Sequence, residues 1–115
     1  MISQADIESL QSSFYALYQK LNDAYWAAST IEAKDQIHGA MDAVNEVLDI
    51  LDRADLESDN AAVQSLTASL ETSTNDLEDL QKQLDQIVHK VSLVNDVLGR
   101  IDTALKVAGK VASVL

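Results

Sequence analysis

Apolar residues in the first quarter of the chain fall at Ile7, Leu10, Phe14, Leu17, Leu21, Ala24 and Ala28. Alternating steps of three and four gather them on one stripe of an α-helix, because side chains so spaced share a helix face. The stripe loses phase around Ser29-Thr30-Ile31-Glu32. There Ser29, with Glu32 three residues on, reads as a capping box and predicts a break or a stutter. Phase returns at Ile37, Met41, Val44, Leu48 and Leu51, predicting a second helical segment that ends near Arg53.

Residues 55–60 (Asp-Leu-Glu-Ser-Asp-Asn) concentrate turn formers, and either Asp59 or Asn60 is placed to cap the next helix. Beyond them a heptad stripe runs through Val63, Leu66, Leu70, Ser73, Leu77, Leu80, Leu84, Ile87, Val91, Val94, Leu98, Ile101, Leu105, Ala108, Ala112 and Leu115. Ser73 is its one polar member and lies in Thr72-Ser73-Thr74-Asn75, residue types that also end helices. The retained phase predicts continuity there, and a single helix from Val63 to Leu115 would be about 80 Å long at ~1.5 Å per residue.

The predicted fold class is therefore all-α: a long antiparallel helical hairpin, or a three- or four-helix bundle, with heptad, coiled-coil-like packing in a single domain over residues 1–115. A two-helix hairpin covers little apolar surface alone. It calls for self-association into a four-helix bundle, the first expectation, or for a fold-back near Ser29.

Composition narrows the picture further. There is no proline, and glycine occurs only as Gly39, Gly99 and Gly109, so strand-rich folds lack their turn residues. Apolar residues at 47% and charged ones at 23% predict a folded chain. The absence of cysteine excludes disulfides, thiolate metal sites and a Cys nucleophile. Met1-Ile2-Ser3-Gln4-Ala5-Asp6 has neither the basic start nor the apolar run of a secretory signal, and charges interrupt every apolar stretch. Cytoplasmic residence is the expectation, with leaderless secretion left open.

The formal net charge of -11 repels phosphate backbones and argues against direct nucleic-acid binding. Residues 1–90 carry 17 acidic and 5 basic side chains, whereas 91–115 carry Asp96 and Asp102 against Arg100, Lys106 and Lys110. In that last segment Leu93, Val97, Ala104, Val107, Val111 and Val114 widen the apolar face beyond the heptad stripe. Such a face suits the centre of a bundle, the groove of a partner protein, or a membrane surface.

Candidate chemistry is sparse. Asp35-Gln36-Ile37-His38 sets a carboxylate one turn from an imidazole, half of a carboxylate-bridged di-metal motif, but Gln86-Ile87-Val88-His89 has glutamine where the second ligand should be. No catalytic, cofactor-binding or metal-ligating residue is expected. All five aromatics lie between Phe14 and Trp26, and at ~100° per residue Tyr15 and Trp26 share a face turned away from the stripe. Candidate partner-binding residues are thus Tyr15, Trp26, Leu93, Val97, Val107, Val111 and Val114. Asp42, Glu46 and Asp49, with Asp52 below them, form a candidate acidic face. The expected function is a non-enzymatic helical protein–protein interaction or assembly module, a homo-oligomer joined through heptad faces or a binder of another protein. The alternatives are a membrane-active or secreted helical protein using residues 91–115, or an acidic inhibitor or immunity-type protein.

Overall fold

A computed structural model describes residues 2–56 and 58–115 and places four helices among them: α1 (Gln4–Ala27), α2 (Ile31–Arg53), α3 (Asn60–Ile87) and α4 (Val91–Ala112). Each helix packs on its neighbours in sequence, and α1 closes the ring on α4; among the described residues neither diagonal pair brings its backbones into close approach. Short connections make neighbours antiparallel, and the bundle measures 45 × 21 × 19 Å. The chain folds back after α1 and again after α3, so it completes a four-helix bundle without a second copy.

The fold-back near Ser29 is real, but Thr30 is the cap: its hydroxyl accepts the Ala33 amide at 3.0 Å. Asp59 caps α3 by accepting the amides of Ala61 and Ala62. α3 runs unbroken through Thr72-Ser73-Thr74-Asn75, and the buried Ser73 hydroxyl donates to the Leu70 carbonyl at 3.1 Å.

The expected helix from Val63 to Leu115 does not exist: the chain turns at Val88, His89 and Lys90. Local chemistry does not announce this break, since the Lys90 side chain makes no capping bond. The turn is set by tertiary pairing. Ala28 and Val88, both extended, form an antiparallel bridge, and the Ser29 amide donates to the Ile87 carbonyl at 3.2 Å. Val88, off the stripe, is buried here, while Val91, on it, is 74% exposed.

The turn also rotates α4. Its buried line is Val94, Val97, Ile101, Ala104, Ala108 and Val111, while Leu98 and Leu105 are half-buried and Ala112 is exposed. The core joins this line to Leu10, Phe14, Leu17 and Leu21 of α1, Ile37, Val44 and Val47 of α2, and Leu66, Leu77, Leu80 and Leu84 of α3. Buried Ile2 and Leu56 belong to the same core at the end holding the α2–α3 connection and both termini.

Truncating the fully buried Phe14 to alanine should cost about 3–5 kcal/mol, read from urea denaturation. In the same assay Thr30→Ala should cost about 1 kcal/mol and Ser29→Ala less, because only Thr30 satisfies a free helix amide.

At the start of α1, Asp6 accepts the Ser3 amide at 3.1 Å while the Ser3 hydroxyl accepts the Asp6 amide. The backbone bond from Ser3, and then the Ser3 hydroxyl, hold the Asp6 carboxyl below its ordinary pKa. Folding thus favours the ionised form, so this contribution is present above the ordinary carboxylate range and is lost as pH falls through the lowered value. Asp6→Asn should destabilise the chain at neutral pH, and the difference from wild type should shrink as pH falls through and below the ordinary carboxylate range, checked by urea melts at a series of acidic pH values.

Candidate functional site

The end of the bundle that carries the α1–α2 and α3–α4 turns is built differently from the other. Trp26, in the last turn of α1, is 72% exposed; Ile31 and Val91, the first residues of α2 and α4, are 75% and 74% exposed. The bridge between Ala28 and Val88 holds the two turns together, so all three project from one end. At the opposite end, Ile2 and Leu56 point their apolar bulk inward.

Lys34 fixes the Trp26 corner. Its ammonium donates to the Tyr25 carbonyl at 2.8 Å and lies 4.9 Å from the Tyr25 ring centre and 5.5 Å from that of Trp26. The two rings meet edge to face at 5.2 Å. α1 has no basic residue in its own last turn, and Lys34, arriving from α2, supplies the positive charge that a helix C-terminus attracts. The cation and the Tyr25 ring favour this orientation of the exposed indole. Tyr25 also faces His38 at 6.1 Å, and His38 Nδ1 lies 3.2 Å from the Asp42 carboxylate.

Trp26 and Leu93 line one depression between α1 and α4 with Lys20, Asp23, Lys90 and Asp96, in which Lys20 reaches Asp96 at 3.7 Å. Tyr15, 58% exposed, lies three turns nearer the start of α1, on the same face. Of the sequence candidates the fold thus unites Trp26 with Leu93 and leaves Tyr15 on the approach to them.

Two candidates need correction. Val97 and Val111 are in the core, 0% and 1% exposed, because the rotation of α4 puts the supposed flank of its apolar face at the centre. Val107, half-buried, lies far down the α1–α4 seam beside Arg100, and Val114 sits at the opposite end. A membrane surface would meet the apolar line of α4 only after the bundle opened. Among the described residues no helix is long and apolar enough to cross a membrane.

Asp42, Glu46 and Asp49 are exposed on α2, but two are engaged: Asp42 with His38, and Asp49 with Arg53 at 3.7 Å. Asp52 accepts the Gln11 amide at 3.1 Å. Among the described residues no three His, Asp or Glu side chains converge as a metal would require.

Ile31 and Val91 are the two exposed residues that sequence reasoning missed. The only signal for Ile31 is its place beside a phase break; Val91 sits on the heptad stripe and gives none. Charge sets this end apart as well. Residues 20–38 and 82–96 hold four lysines against five carboxylates, and both histidines, whereas the rest of the chain holds four basic residues against fourteen acidic. No family model matches the chain, and no curated protein or solved structure matches it either.

Proposed function

We propose that this chain is a non-catalytic helical interaction module that docks a partner protein against the bundle end carrying Trp26, Ile31 and Val91. The observation that carries this reading is the exposure of three large apolar side chains at one nearly neutral end of an otherwise acidic rod. Tryptophan is the residue type most enriched at binding hot spots, and a rigid ring loses little entropy on docking.

Most positions of the heptad stripes, the expected route to self-association, are buried within the chain, with Val91 and Ala112 left outside. End-to-end pairing of two copies is confined to the narrow end of a rod 21 × 19 Å across. A different protein that covers the end can also follow the α1–α4 face past Leu93 toward Tyr15 and so bury more surface than the end alone offers. The side walls, with most of the net charge, repel further copies of the same rod.

A photoreactive side chain at position 26 or 91 should give one discrete adduct in the producing cells, and the same group at position 46 should not. The purified adduct partner should bind Trp26→Ala at least about tenfold more weakly than wild type, since hot-spot truncations cost ~2 kcal/mol or more. The urea stability of Trp26→Ala should stay within about 0.5 kcal/mol of wild type. Unchanged affinity in both Trp26→Ala and Val91→Asp would overturn the proposal.

A further inference from the structure

A second surface, on the far side of α4 and toward the other end, is independent of the Trp26 end. The α3–α4 seam is the most sparsely packed of the four. A groove of about 480 Å³ opens along it, with Leu70, Leu105 and Ala108 as its floor and Gly109 and Ala112 along one wall. A Cβ built on Gly109 would meet nothing within 4 Å, so the wall stands clear of other atoms there. The opposite wall is α3 from Thr67 to Glu78, a length of about 16 Å or three helical turns.

The rim of the groove is charged on one side. Glu71 and Glu78, two turns apart on α3, edge the apolar floor, and among the described residues neither has an ion pair or hydrogen bond. The nearby cations of α4 are committed elsewhere. Lys106 is held by Asp102 at 2.9 Å, and Lys110 lies near the start of α1, where its charge helps lower the pKa of Asp6. An apolar trough three turns long with carboxylates along one edge matches a short helix that carries apolar anchors and a basic flank.

We infer that the α3–α4 groove receives an amphipathic helix of another protein, its apolar face on Leu70, Leu105 and Ala108 and its lysines or arginines against Glu71 and Glu78. A second copy of this chain does not fit, because the pair would carry twice a net charge of -11 and α4, its one helix with more cations than carboxylates, already buries its apolar line in its own core. Gly109 lets the incoming backbone approach closely, and any side chain at this position takes up part of the trough.

The test uses the full chain and two fluorescein-labelled peptides of about 16 residues, long enough for the groove. One has leucines at i, i+3, i+4 and i+7 with lysines beside them; the other has the same leucines with glutamate for every lysine. Fluorescence anisotropy should show saturable binding of the lysine peptide and none of its glutamate counterpart. Glu71→Lys/Glu78→Lys should weaken binding at least about tenfold, by loss and reversal of both rim charges. Gly109→Leu should abolish it by filling the trough. Leucine exceeds glycine in helix propensity, so circular dichroism should show this variant folded, and the double charge variant provides a second reading on an unaltered floor.

Equal binding of both peptides, or full binding by Gly109→Leu, would sink the proposal by showing that the groove does not select its ligand. Dimerisation of the chain alone, abolished by Gly109→Leu, would also overturn it and assign the groove to a second copy.

Discussion

At one end of the bundle the Ser29 amide donates to the Ile87 carbonyl, and Ala28 and Val88 lie extended beside each other with their side chains turned inward. This short pairing joins two helical hairpins, α1–α2 and α3–α4, whose chain connection lies at the other end. A chain lacking proline, with its three glycines all inside helices, has few local means of stopping a helix. Here backbone groups freed at two helix ends satisfy each other across the molecule. Given that pairing, the register of α1 against α4 and of α2 against α3 is set, and Trp26, Ile31 and Val91 face out.

The same end explains where the charge went. Helix termini attract countercharges, and α1 draws Lys34 from α2 to its last carbonyls. Carboxylates are instead spread along the outer faces of α2 and α3, where water solvates them. A rod with acidic walls and a nearly neutral, apolar end has one direction in which close approach is not opposed by its own field.

The sequence pattern reveals a good deal of this and misses one thing of consequence. The stripes of α1 and α2, the turn before Asp59 and the outward placement of Tyr15 and Trp26 are all legible, because each depends on spacing within one helix. The turn at Val88 is not. Its three connecting residues leave the count of threes and fours intact, and Lys90 supplies no capping signal. A single helix from Val63 to Leu115 would put Val91 on the buried stripe and Val97 and Val111 on the exposed flank, the reverse of their positions. Heptad phase reports which residues are apolar at helical spacing. It cannot report which of two apolar lines on a wide face meets the core.

That wide face is where fold and function connect. α4 carries more apolar width than its neighbours cover, and the rotation at Val88 divides it into three strips. The central strip, from Val94 to Val111, completes the core. The strip toward α1 leaves Leu93 half-buried beside Trp26, and the strip toward α3 leaves Leu105 half-buried over the open seam at Gly109. Had α4 been narrow, both flanks would be polar and the molecule a plain acidic rod. Two unequal apolar margins, one against a tryptophan at a near-neutral end and one under a line of glutamates, give the rod two surfaces of different chemistry on opposite sides of a single helix. The two partners proposed, one at the Trp26 end and a basic helix in the α3–α4 groove, would contact different side chains.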